Sequence, residues 1–203
     1  VKKLREATGV GMMDCKKALV ETNGDFDAAV DLLRTQGQKV AAKRADRDAK
    51  EGIIATGSAN GDATGILVEV NCETDFVSRN DDFQSYAAEL ADLTTSTLPA
   101  DRDAFLAASM QDGRSVADSL TDMTGKIGEK IDVRRTAVLN SDGGTVVSYI
   151  HPGANLGIMI ELKTNGKSDE IKQLSKDLCM QIAVTNPLCV EHSQLDPTVL
   201  EKE

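Results

Sequence analysis

Cys72 and His151 are a thiol and an imidazole, the pair that a cysteine-nucleophile enzyme would need. No oxyanion-hole or acid-partner motif accompanies them, and a lone Cys and a lone His are more often structural. The nearest approach to a phosphate-binding loop is Glu161-Leu162-Lys163-Thr164-Asn165-Gly166-Lys167-Ser168. Its required first glycine is Glu161, so it reads as a polar turn. Gly9-Val10-Gly11 does not follow a strand and fails the dinucleotide fingerprint. A further group does no covalent chemistry. Thr74-Asp75-Phe76-Val77 sets a ring beside a carboxylate within the polar run Asn71 to Asp82. The strand-like run Gly65 to Val70 has ended, and a helix-like stripe starts at Phe83, so neither neighbour needs Phe76 or Val77. A Phe left in water forgoes about 1.5–3 kcal/mol of burial. Such a residue marks a binding tip, and a Phe folded back onto its own core is the alternative.

The elements that position these residues belong to a chain of 203 residues, enough for one large domain or two to three small ones. Apolar residues make up 40% and charged residues 28%, which is ordinary for a globular protein. Aromatics are only 3%, so the cores must be built from Val, Ile, Leu, Ala and Met. The net charge of −10 argues against nucleic acid as a direct ligand, since phosphate recognition needs a basic face. Only Lys39 to Arg47 is locally basic, and it is interleaved with acid. No apolar run approaches a membrane span and no signal-like start is visible. Cys15, Cys72, Cys179 and Cys189 are scattered without a CxxC pair, which argues against zinc and for reduced thiols in a cytosol-like compartment, with an organelle matrix as the other option. Neither metal nor cofactor is expected. The start at Val1 inside a helical pattern implies that a few residues precede it.

Residues 1–37 read as a three-helix docking module. A helix end at Val1 to Ala7 and a turn at Thr8 to Gly11 lead into a second helix from Met12 to Thr22, stopped by Asn23-Gly24. The third starts from Asp25 as N-cap, carries Phe26, Ala29, Val30 and Leu33 on one face, and ends at Gly37. Residues 38–51 read as an exposed helical linker. Met12-Met13 would ordinarily be core of the module, although adaptable Met side chains also suit a contact surface.

Beyond residue 51 the chain repeats itself. Ile54, Gly61 and Gly65 lie over Val146, Gly153 and Gly157 at a constant offset of 92. Each copy is a hairpin pattern followed by a helix. The helix stripes, Phe83, Tyr86, Ala87, Leu90 and Ile171, Leu174, Ser175, Leu178, are offset by 88, as are Pro99 and Pro187. The first copy therefore carries four extra residues between strand and helix, in the segment holding Thr74 to Val77. The second copy makes that connection through Lys163 to Asp169, with nothing apolar. A scaffold that works without Phe in one copy but carries it in the other points to function. Between the copies, Ser115-Val116-Ala117-Asp118 has capping-box form ahead of the stripe Val116, Leu120, Met123, Ile127. Ile131 to Leu139 reads as a strand completing the first sheet, and Asn140 to Gly144 as the boundary turn. The division is then 52–139, with an exposed 71–82 loop, and 140–203: two related α+β subdomains with antiparallel sheets. Glu69 and Glu161 recur at equivalent strand positions and read as structural, and His192 reads as a surface residue.

Four blocks carry a resemblance: Leu4 to Leu19, Glu69 to Val77, Lys126 to Ile131, and His151-Pro152-Gly153 with Gly157. In order and spacing along the whole chain they resemble the elongation factor Ts family, the guanine-nucleotide exchange factors of elongation factor Tu. The resemblance implies an α+β fold: an N-terminal module similar to ubiquitin-associated domains, then a core of two α+β subdomains. It implies that Asp75 and Phe76 wedge between two helices beside the partner's nucleotide site, with Thr74 and Val77 shaping the loop. His151 would contribute from the second subdomain, and Arg5, Met12 and Met13 would face the partner's nucleotide-binding domain. The expected activity is release of GDP by displacing the partner's Mg²⁺ and phosphate-binding loop, with no chemical step in this chain. The expected partner states are GDP-bound and nucleotide-free elongation factor Tu. A non-catalytic adaptor is the alternative. Many family members continue into a helical hairpin and a C-terminal module, so Leu200-Glu201-Lys202-Glu203 implies a short form or a truncated chain.

Overall fold

In the computed structural model, which describes residues 1–164 and 169–195, the first apolar stripes close on one another as three helices. α1 (Lys2–Thr8), α2 (Met12–Glu21) and α3 (Phe26–Arg44) bury Leu4, Cys15, Ala18, Ala29 and Leu33 together, with Phe26 and Val30 packed beside them. Asp25 caps α3 by accepting from the Ala28 N–H at 3.0 Å, which satisfies one of the orphan donors of the first turn.

The body follows as β1 (Glu51–Ala59), β2 (Thr64–Cys72), the single turn α4 (Asp75–Ser78), α5 (Asp81–Thr97), α6 (Arg102–Ala107), α7 (Val116–Ile127) and β3 (Asp132–Asn140). Then come β4 (Thr145–Ile150), β5 (Gly157–Leu162) and α8 (Asp169–Thr185). β1, β2 and β3 form one antiparallel sheet with β2 in the middle, and β4 and β5 form a second. Alternation along β2 turns Ile66, Val68, Val70 and Cys72 into the main core with Phe83, Tyr86, Ala87 and Leu90 of α5. The other face of β2 meets the second hairpin: a Cβ on Gly65 would strike the Val146 and Met159 side chains, and one on Gly157 the Ile54 and Leu67 side chains.

The repeat holds at the level of register. Ile54 pairs with Glu69 and Val146 with Glu161, so the same strand positions oppose one another in both hairpins. Both long helices end on a left-handed non-glycine residue before proline, Leu98 (φ 44) and Asn186 (φ 45). The helix faces differ, however. Phe83, Tyr86, Ala87 and Leu90 are all buried, whereas Leu174 and Leu178 of the second stripe are exposed and Ser175 and Cys179 take the buried line. The Tyr86 hydroxyl meets Ser119 Oγ of α7 at 2.7 Å. Tyr86 of α5 thus reaches α7, while α8 packs chiefly on β4 and β5. Phe105 of α6, an element absent from the sequence reading, fills the core beneath; Asp101 caps it by accepting from the Ala104 N–H at 2.8 Å. The polar turn expected at Lys163 to Asp169 falls largely outside the described residues, as do the His192 side chain and Leu200 to Glu203.

The third helix does not end at Gly37. It continues to Arg44, so the helical stretch expected from residue 38 is continuous with α3. Gly37 serves a close crossing instead of a terminator: a Cβ on Gly125 of α7 would lie 2.5 Å from the Gly37 Cα. The chain that follows is tied to the body, with Lys130 Nζ donating to Ala45 O at 2.7 Å and Arg134 Nη2 to Ala49 O at 3.0 Å. Because backbone atoms block the added methyl, Gly125→Ala should destabilise the protein by about 1–3 kcal/mol. The expected readout is a lower urea midpoint at an unchanged slope; an unaltered midpoint would show that α3 and α7 can separate freely.

Candidate functional site

The segment between β2 and α5 is ordered from both ends. β2 runs to Cys72, and Asn80 caps α5 by accepting from the Asp82 N–H at 2.8 Å. The four residues between them that curl into α4 replace the 71–82 loop expected from sequence: Asn71 and Cys72 are strand, and Asp81 and Asp82 are the first turn of α5. The helical twist between adjacent residues points the two apolar side chains it carries in different directions. Val77 turns inward against the main core, and Ser78 beside it is buried, its Oγ donating to Asp75 O at 2.9 Å. Phe76 turns outward and is 82% exposed. Asp75 Oδ2 pairs with Arg79 Nη2 at 3.1 Å, with the Arg79 side chain exposed and that of Asp75 about half so, a contact worth little.

The root of the turn is held more firmly. Thr74 N and Thr74 Oγ1 donate to Glu129 Oε2 and Oε1 at 3.0 and 2.7 Å. In the opposite sense, Glu73 Oε1 accepts from the Lys130 N–H at 2.7 Å and Glu73 Oε2 from Arg44 Nη1 at 2.8 Å. Neither Glu73 nor Glu129 stood out as a site residue in the sequence. Glu129 lies 55 positions from Thr74, and its only signal was its place in the block Lys126 to Ile131.

Cys72 is fully buried, and its thiol donates to Thr74 O at 3.2 Å. Burial, reinforced by the negative charge of Glu129, pushes the thiol up to about 12. A thiol that keeps its proton so firmly is no nucleophile. His151 lies elsewhere, in the turn between β4 and β5, exposed, with Nδ1 3.0 Å from the Tyr149 hydroxyl. That turn leans on β1, where Ile54 N donates to Ala154 O at 2.6 Å. No contact joins His151 to Cys72, and the cysteine-nucleophile reading fails.

On the helical unit, Arg5 is exposed on α1, and Met12 and Met13 are 45% and 61% exposed at the start of α2. The methionines are therefore surface, and the module's core is built without them. Among the described residues no group of His, Cys, Asp and Glu could hold a metal ion, and no helix is long and apolar enough to cross a membrane.

A family model described as Elongation factor TS matches residues 73–203, from the root of the exposed turn onward. Curated elongation factor Ts proteins of Chloroherpeton thalassium and Prosthecochloris aestuarii are 47% and 46% identical over all of this chain, which spans 71% of each. That of Clostridium perfringens is 44% identical, again over the whole chain and 67% of the relative. These matches define the class first: a translation elongation factor. Within it, the chain belongs to the elongation factor Ts family.

The Cys72 thiol makes stability depend on pH. It deprotonates near 9.0 when unfolded but only at about 12 when folded. Above 9.0 the folded state therefore binds more protons than the unfolded one, and stability falls as pH rises through that window. Burial also raises the Tyr86 phenol, which acts in the same direction. Urea midpoints measured from neutral pH upward should decline above pH 9.0, and less steeply in Cys72→Ala. Equal slopes would show that the thiol titrates normally.

Proposed function

We propose that the chain is a guanine-nucleotide exchange factor that binds elongation factor Tu·GDP and promotes GDP release in the cytoplasm. The observation that carries this reading is the bare Phe76 ring on a turn whose root is fixed by charged hydrogen bonds. An exchange factor performs no chemical step. It must bind the nucleotide-free partner more tightly than the GDP-bound one, and GDP then weakens its binding by the same ratio.

Phe76 supplies that difference if its ring is buried only when two helices of the partner part. Burying a Phe contributes about 1.5–3 kcal/mol, and that gain belongs to the open state alone. The partner's Mg²⁺ tolerates little displacement of its ligands, so the same movement loosens the metal and the phosphate-binding loop together. Asp75 can exchange its weak pairing with Arg79 for a group on the partner, and Thr74 and Val77 hold the turn in shape. Arg5, Met12 and Met13 form a second contact with the nucleotide-binding domain, and His151 a third. In this division the helical unit docks, the body from 52 to 139 carries the wedge, and the portion from 140 onward supports it. Contact surfaces without the wedge would suit an adaptor, which leaves nucleotide off-rates unchanged.

The test is stopped-flow release of a fluorescent GDP from elongation factor Tu, with and without the chain, at varied Mg²⁺. Phe76→Ala should slow stimulated release about 10–100-fold, the equivalent of the lost burial. An exposed side chain contributes little to the fold, so the thermal midpoint should stay nearly unchanged. Normal exchange accompanied by a large loss of stability would refute the reading.

A further inference from the structure

We infer that Glu129 is a positioning residue for exchange: its carboxylate grips Thr74 and thereby sets the direction in which Phe76 is presented. The inference rests on the exchange reading above and adds to it a residue that never touches the partner.

The base of the grip is rigid. α7 ends on Gly128 in the left-handed conformation (φ 83), whose N–H donates to Thr124 O at 2.8 Å. Ile131 N donates to Thr124 Oγ1 at 3.0 Å, so the turn carrying Glu129 is pinned on both sides to one residue of α7. From that turn Glu129 takes both donors of Thr74, and Glu73 takes the N–H of Lys130 in return. Two neighbouring residues on each segment thus clasp two on the other, and each carboxylate bond is charge-assisted.

Thr74 is the residue from which α4 starts, yet its side chain makes no cap hydrogen bond to that turn, because its hydroxyl is given to Glu129. α4 has only four residues, and its own backbone bonds, Ser78 N to Thr74 O and Arg79 N to Asp75 O, are long at 3.3 Å. A helix of that length does not hold itself. Besides the anchoring of Val77 and Ser78, its direction comes from outside, through Thr74. A wedge that is already oriented loses less freedom on binding than one that must be ordered at the partner's surface.

The experiment measures GDP release from elongation factor Tu at saturating chain for Glu129→Ala, Glu129→Gln and Thr74→Val. Each is made alone and in a Phe76→Ala background, with circular dichroism and thermal midpoints recorded on the same samples. Glu129→Ala should slow stimulated release about tenfold, equivalent to loss of one charged hydrogen bond or more. Glu129→Gln should recover most of the rate, since its amide can accept from the Thr74 N–H and donate to the hydroxyl. With Phe76 already removed, Glu129→Ala should change the residual rate less than about twofold, because the two residues act through one another. A purely structural residue would show the same loss in both backgrounds, and that result overturns the inference. So does wild-type release by Glu129→Ala when Phe76→Ala is slow, an outcome that leaves the exchange reading intact. Should Glu129→Ala fail to fold, Thr74→Val decides alone: a loss of about threefold seen only with Phe76 present supports the grip, and an unchanged rate overturns it. If Phe76→Ala itself releases GDP at the wild-type rate, the exchange reading falls and this inference with it.

Discussion

The crossing of α3 over α7, backbone against backbone at Gly37 and Gly125, is the constraint on which the arrangement of the molecule depends. α7 is the common support. In its last turn it receives the helical unit through Gly125; through Ser119, in its first half, it bonds to α5; and from the turn beyond its end Glu129 holds the root of α4. Lys126 ties these together: its methylenes lie over Gly9, where an added Cβ would meet them, while its ammonium pairs with Asp82 at the start of α5. That ammonium holds the Asp82 carboxyl below its ordinary range. A helix tied to three neighbours cannot shift toward one without altering its contacts with the others. The exposed Met12 and Met13 of α2 and the exposed ring on α4 are thereby both linked to α7, although they come from different parts of the chain.

The two residues at the top of α4 show how a four-residue turn can be both anchored and available. Val77 goes into the core and Phe76 goes out, and the anchor is the smaller of the two. Reversing them would hide the larger apolar surface and leave little to offer a partner. Exposure of one Phe costs the free protein up to about 3 kcal/mol of forgone burial, a sizeable share of a typical domain's stability. The fold offsets this around the root, where Glu73 and Glu129 accept four hydrogen bonds from Lys130, Arg44 and Thr74.

Sequence periodicity was informative wherever burial repeats locally. The stripe of α3, the Ser115 cap ahead of α7, the strand from 131 to 139 and the constant offset between hairpins all reappear as buried faces, a cap bond and matching registers. Gly37 is not the terminator that its place after an apolar stripe suggests, because glycine there has two uses. Its partner Gly125 is remote in sequence, and local pattern does not show a close crossing between distant helices. α6 escaped for a different reason: six residues are too few to display a helical period. The position of Phe76 was legible because a repeat supplied its own comparison. The clasp at Glu129 was not, since hydrogen bonds between distant segments leave no periodic mark.

The two hairpins and the helices that follow them also show which positions match and which differ. Strand register and the left-handed helix ends are retained, and these positions specify backbone path. Among the described residues, the differences include positions that face a third element. Tyr86 meets α7, while its counterpart Leu174 is exposed; α4 and its two clasping carboxylates belong to the first copy. Register must survive, because a slip of one residue would turn every core side chain of a strand to the wrong face. A connection between strand and helix carries no such penalty, since its length adds only slowly to the entropy of closure. The four extra residues could therefore enter between β2 and α5 without disturbing either. Their root is held by the turn at the end of α7, and Val77 and Ser78 anchor them to the core.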